Sequence, residues 1–482
     1  MSAPDDKETV AERDGDPDED PQSSVAVEGS NSRAPRRGDA SMPHYVDHAE
    51  RGRAALTGRM FASLRNPHFR LFMAAMMGQM GAMNMQMVAR SWFMYELTGS
   101  ATLLGAVSLA NGLPMLMLSL YGGVIADRVQ KKYVLIAGQV ASAALALAVA
   151  ALITTNLINW QLLIVASVMQ GMIMALMMPS RQAVIPELVG EQGLTNAVAL
   201  NTAGMNLNRL TAPGIAGLMI AVIGIESVYY VMTVLYIVAT VFALSLPISG
   251  TTSLAGMNAL DNVKDGLRYI KDSPVLPALL VVTLIAVVLS MPYMMLLPIF
   301  TKDIITVEAQ SLMWMTRLPL VGGLLESVPD LFAKSSFRLG LLMTVSGIGA
   351  LAGSLFIAAL PPGTRGVMFL ASLMLTAITL MAFAVSPWYF LSLALVVPLG
   401  LGQAGRMALS NALVQANADD AHRGRVMSVY MMEFGVTNFG IFLIAILAGH
   451  IGVQWAIGGG AALLGFMTLY FFLKTPNVRR LP

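Results

Sequence analysis

Four ionisable side chains interrupt stretches that are otherwise apolar: Arg90, Arg209, Arg406 and Glu433. An ionisable group in hydrocarbon costs several kcal/mol, so each must face protein or water, and each is a candidate for function. Three cations against one carboxylate leave positive charge in excess. A cavity shared by them would favour anionic or strongly hydrogen-bond-accepting cargo. Glu433 lies eight residues past Arg425 (433 − 425), about 12 Å along a helix rising about 1.5 Å per residue. A carboxylate caught at that depth between desolvation and a nearby guanidinium can exchange a proton for cargo. The alternative is a permanent pair between Glu433 and an arginine, Arg406 among the candidates, that only joins helices.

Spacing sorts further residues with these four. Gln79, Met83, Gln86 and Arg90 recur at i, i+4, i+7 and i+11, which is one face of a helix. Thr202, Asn206, Arg209 and Pro213 repeat the interval. Polar stripes of this kind face protein or a water-filled cavity, so both are expected to line a substrate path. Interhelical hydrogen bonds that merely hold a bundle together are the plainer alternative. Seven methionines between Met73 and Met87 offer thioethers, a ligand type for Cu(I). No Cys or His accompanies them and 36 Met are spread over the chain, so adaptable packing is expected, with no metal and no cofactor. The histidines stand at 44, 48, 68, 422 and 450, and no Ser/His/Asp set lies in the apolar runs, so no enzyme is expected. The absence of Gly-x-x-x-x-Gly-Lys-(Ser/Thr) argues against direct use of ATP.

The elements that carry these residues are membrane spans. Hydrophobic residues make up 56% of 482 and charged ones 12%, a composition that a water-soluble surface does not tolerate. A net charge of +2 gives no reason to expect nucleic acid, and the lipid bilayer is the expected partner. Apolar runs of about 20 residues, enough to cross about 30 Å, begin near Leu71, Leu103, Val134, Leu162, Asn196, Val228, Leu276, Leu339, Val367, Tyr389, Val426 and Ile451. Loops after the even-numbered runs collect Arg128, Lys131, Lys132, Arg181, Lys264, Arg268, Lys271, Arg365, Arg423, Arg425, Lys474, Arg479 and Arg480. That bias predicts twelve transmembrane helices in the plasma membrane with both termini cytoplasmic.

Gly123, Asp127, Arg128, Lys131 and Lys132 sit in a short charged hinge between the second and third runs. This hinge resembles the signature loop of the major facilitator superfamily, Gly-x-x-x-Asp-Arg-x-Gly-(Arg/Lys)-(Arg/Lys), with Gln130 in place of the second Gly. The halves also resemble one another: Arg181-Gln-Ala-Val-Ile matches Ser410-Asn-Ala-Leu-Val, each expected to precede a polar loop and a new helix, and Gly105–Gly112 matches Gly340–Gly347. Half-chain repeats of six spans mark carriers that rock one bundle against another. Tyr95-Glu-Leu-Thr-Gly-Ser100, Arg181–Glu187, Asn196–Asn201, Gly266–Ile270 and Arg423–Ser428 narrow the resemblance to the enterobactin-exporter-like, or transmembrane secretion effector, branch. Pro213, Gly214 and Gly217 are similar to that superfamily's antiporter motif, Gly-Pro-x-x-Gly-Gly, with two of its glycines replaced by Ala. Such small residues allow close helix packing. The resemblance implies a gating latch in which Asp127 pairs with Arg181 and with the helix end near Arg423–Val426.

The expected organisation is a disordered acidic tail (1–58), a six-helix bundle (64–247), a central loop with an amphipathic helix (248–274), a second bundle (275–473) and a short tail (474–482). Leu260, Val263, Leu267 and Ile270 supply the apolar stripe of the amphipathic helix. An extracytoplasmic insert at 301–337 is expected to lie on the membrane or to cover the pore mouth. The all-α integral membrane fold implies a secondary active transporter, a monomer that exports a small organic molecule in exchange for protons. Import, or a non-transporting receptor or scaffold, are the alternatives.

Overall fold

The computed structural model describes residues 62–128, 130–246, 259–307, 328–359, 363–419 and 422–475, together with 479 and 481. The 1–58 tail and most of the 301–337 insert lie outside the described residues, as do the side chains of Gly123, Asp127 and Arg128. Apart from one isolated bridge between Thr306 and Trp388, the regular structure described is helical.

The helices are α1 (Pro67–Thr98), α2 (Ala101–Arg128), α3 (Lys131–Thr154), α4 (Trp160–Val222), α5 (Ile225–Leu244), α6 (Ala259–Asp272), α7 (Leu276–Ser290), α8 (Pro292–Ile299), α9 (Val328–Ala333), α10 (Ser335–Ala358), α11 (Arg365–Val385), α12 (Tyr389–Ala416), α13 (Arg423–Met431), α14 (Glu433–Ile451) and α15 (Val453–Lys474). A π turn at Phe300–Ile304 prolongs α8. Local chemistry accounts for the ends of α1. The Asn66 side chain accepts from the amides of His68 and Phe69, Pro67 occupies the first turn, and Gly99 closes the helix at φ +59°.

Among the described residues, ten stretches are long and apolar enough to cross a membrane: α2, α3, the first part of α4, α5, α7 through the π turn, α10, α11, α12, α13 with α14, and α15. The two remaining runs of the expected twelve are α1 and the second part of α4. Both carry the polar stripes, which lower their mean hydropathy.

The expected polar loop between the fourth and fifth runs is absent, because helix continues from Trp160 to Val222. The run nevertheless turns back on itself. Gln79 of α1 touches Met177, Asn66 reaches the Leu188 carbonyl, and Asn208 returns to the Met77 carbonyl. A straight helix would place 177 and 208 about 46 Å apart, at about 1.5 Å per residue over 31 residues. Here they meet α1 two residues apart.

Glycine contacts make the internal repeat visible. Gly105 of α2 lies so close to α14 that a Cβ there would come 2.4 Å from the Ala445 Cβ, and one at Gly112 would come 2.2 Å from Asn438. Gly340 of α10 likewise abuts Gly217 of α4 (2.9 Å from its Cα), and Gly347 abuts Leu210 (3.1 Å). Gly171 and Gly400 press on the carbonyls of Asn111 and Ser346. Residues 105, 111 and 112 correspond to 340, 346 and 347 at a constant offset of 235. Their partners 210 and 217 correspond to 438 and 445 at 228. Two equivalent seams therefore join the halves, α2 with α14 and α10 with α4. Small residues allow backbones to approach closely in both.

Helix α6 clamps the start of α13. Gly266 packs on the Arg425 carbonyl (2.9 Å from an added Cβ), Arg425 pairs with Asp265 at 3.5 Å, and the Tyr269 ring stacks on His422 at 4.3 Å between centroids. The expected apolar stripe divides: Ile270 is buried, whereas Leu267 is 51% exposed.

Candidate functional site

Among the described residues, the embedded charges make their contacts at three separate places. Arg406 of α12 and Glu433 of α14 form an ion pair at 2.7 Å, with Arg406 2% exposed and Glu433 13%. Beside it, the hydroxyls of Ser410 and Tyr430 lie 2.9 Å apart and tie α12 to α13. Taking two charges out of water is expensive, and close geometry with added hydrogen bonds offsets part of that cost.

Arg209 stands at the α4–α10 seam. Its backbone carbonyl is 3.3 Å from where a Cβ on Gly347 would sit, and its charge acts on Tyr293 of α8. Tyr293 is buried and within 3.3 Å of the Ser346 hydroxyl. Among the four embedded charges, Arg209 is the one in the N-terminal half that acts across to the other half. Pro213, Gly214 and Gly217 follow it along the same seam, with a Cβ on Gly214 only 2.6 Å from Thr344 Oγ1. Thr202 is exposed and donates to the Val198 carbonyl of its own helix, and Asn206 is half-buried. Asn208, which the stripe omitted, makes the contact with α1.

The α1 stripe is one face, as its spacing requires, but that face turns into the N-terminal half. Gln79 is fully buried and donates to Met177 Sδ at 3.3 Å. Met83 packs with other methionines of α1 and α4. Gln86 and Arg90 line a small cavity with Ser167 and Tyr229. Tyr229 and Tyr236 stand seven residues apart (236 − 229) on α5. That one-face spacing was the available signal for residues the sequence reading missed.

Of the expected gating set, Lys132 donates to the Leu246 carbonyl just past α5, where an ammonium suits the negative helix end. Arg181 is buried, and its guanidinium reaches Met80 Sδ at 3.7 Å. Burial lowers the Arg181 pKa from its ordinary value. In the last turn of α1, the Tyr95 hydroxyl donates to Asp303 of the π turn and Lys302 lies over the Tyr95 ring, 5.6 Å from its centre. This links the two halves at one end of the bundle.

A helical membrane protein built of two related halves, joined by two equivalent seams with charges inside, has the architecture of a carrier. The chain belongs to the major facilitator superfamily: the model described as "Transmembrane secretion effector" matches residues 58–322, more than half of it, and that described as "Major Facilitator Superfamily" matches 320–482. The chain is 24% identical to a staphyloferrin A transporter of Staphylococcus aureus, over 84% of this chain and 94% of the relative. It is 26% identical to the multidrug efflux pump Tap of Mycolicibacterium fortuitum, over 86% and 97%. Among solved structures, a mutant of the nucleoside transporter NupG superposes with a TM-score of 0.62 at 14% identity, covering 84% of this chain and 100% of that one. A POT family transporter in complex with 5-aminolevulinic acid gives 0.64 at 11%, covering 86% and 97%. The protein is a multi-pass membrane transporter of this family.

Proposed function

We propose that the protein exports a small organic molecule across the bacterial plasma membrane in exchange for protons, as a monomer with both termini in the cytoplasm. The Arg406–Glu433 pair carries this reading, because it holds an embedded carboxylate whose partner guanidinium can be left or regained as a proton binds or leaves. Arg209, at the seam and acting toward Tyr293, is the group that reads an anionic or hydrogen-bond-accepting part of the cargo. Relatives named for staphyloferrin A and for multidrug efflux support a siderophore, metabolite or drug-like compound as the cargo class. The charged hinge from Gly123 to Lys132, with Arg181, serves as the gate on the cytoplasmic side.

Uptake into inverted vesicles tests the reading. With an imposed pH gradient, a drug-like anionic probe should accumulate in vesicles holding the unmodified protein. Glu433→Gln should remove the response to the gradient. Gradient-driven uptake that survives in Glu433→Gln would exclude this carboxylate as the coupling group. Transport of cationic probes alone would exclude Arg209 as the reader.

A further inference from the structure

The Arg90 cavity is separate from both the seams and the Arg406–Glu433 pair. Its lining comes from α1, α3, α4 and α5, all in the N-terminal half. No carboxylate pairs with Arg90 among the described residues, and its Nε is buried without a hydrogen-bond partner. Tyr229 and Tyr236, 2% and 0% exposed, interact electrostatically with the guanidinium, and the Tyr236 hydroxyl also has no hydrogen-bond partner. The Gln86 side chain and Tyr229 line the cavity beside Arg90, whereas Ser167 spends its hydroxyl proton on the Leu163 carbonyl. Leu145, Leu163 and neighbouring alanines complete an apolar wall.

An uncompensated guanidinium in such surroundings costs several kcal/mol. Three donor groups, the guanidinium, a carboxamide and a phenol, surround a space with room for about one water. Arg90 is half-buried there, and an occupant suited to the site offsets its charge, only accepts, and is compact, a monatomic anion little larger than water. A carboxylate or phosphate on an organic molecule is too large. We infer that the Arg90 cavity binds a single halide ion, chloride, which completes the core of the N-terminal half and is not cargo.

The test is thermal unfolding of the full chain in detergent, in sodium chloride against sodium gluconate at matched ionic strength. A ligand at free concentration c that binds only the folded state stabilises it by RT ln(1 + c/Kd), so the melting temperature climbs logarithmically once the concentration passes Kd. Chloride should raise the midpoint by several degrees with that logarithmic dependence, and Arg90→Met should show no response. Tyr229→Phe keeps the ring and removes one donor to an anion, so the chloride concentration at which the rise sets in should go up about tenfold or more. Equal midpoints in chloride and gluconate would overturn the inference, as would a chloride response retained in Arg90→Met. Stabilisation by acetate equal to that by chloride would also overturn it, because the site would then take carboxylates. If Arg90→Met fails to fold, the unmodified protein and Tyr229→Phe still decide the question.

Discussion

Removing the carboxylate of the Arg406–Glu433 pair leaves a guanidinium that is 2% exposed without its 2.7 Å partner. Arg406 Nε already lacks a hydrogen-bond partner, and no second carboxylate pairs with Arg406 among the described residues. Breaking a buried pair from one side costs about 3–5 kcal/mol, most of it the cost of the stranded charge. Glu433→Met is therefore expected to lose about that much. The double substitution Arg406→Met with Glu433→Met removes both charges and keeps apolar volume, so it should recover most of the loss. The two single changes together should exceed the double change by about 3 kcal/mol, the coupling of a close pair. Equilibrium unfolding in mixed dodecylmaltoside and SDS micelles, followed by tryptophan fluorescence, measures all four corners of the cycle. A double mutant as unstable as the sum of the single mutants would refute the reasoning, and so would a Glu433→Met loss below about 1 kcal/mol.

Gly340→Ala would place a methyl 2.7 Å from the Pro213 carbonyl and 2.9 Å from the Gly217 Cα. It should therefore force the α4–α10 seam apart and cut transport sharply at normal membrane abundance, which vesicle uptake normalised to protein would measure. Tyr95→Phe removes the hydroxyl that donates to Asp303, so the bundle should open more readily at that end. Spin labels on Ser100→Cys and Thr306→Cys, in a chain with no native cysteine, should report a longer mean distance by electron–electron resonance. Deleting residues 1–55 should leave folding and transport nearly unchanged, because the tail carries no apolar pattern to pack. Loss of uptake with normal insertion would show that the tail takes part.

Much of the fold was legible because hydrocarbon imposes a simple rule on length and composition. Ten apolar runs stand as helices, and Asn66–Pro67 with Gly99 bound α1 through ordinary capping chemistry. The repeat was legible at Gly105–Gly112 and Gly340–Gly347 because each pair of glycines meets a backbone or a short side chain. The direction of a stripe was not legible. Spacing assigns Gln79, Gln86 and Arg90 to one face, but rotation of α1 about its own axis depends on neighbours distant in sequence, including Met177, Ser167 and Tyr229. The run through 180–195 was read as a loop from its polar residues, yet the backbone there satisfies its hydrogen bonds as helix. Arg209 was found as a charge, whereas its action on Tyr293 follows from packing between halves.

The thioethers between α1 and α4 have a mechanical consequence. Gln79, Arg181 and Asn208 all direct donors at sulfur, on Met177, Met80 and Met77, at 3.3, 3.7 and 3.4 Å. Sulfur is a weak, polarisable acceptor on a side chain with three rotatable bonds, so these contacts follow a small displacement of α1 instead of breaking. The glycine seams have no such slack, since their backbones already touch. Friction in this molecule is therefore uneven: α1 slides on a compliant bearing of methionine, while the seams act as stiff pivots about which the halves must turn.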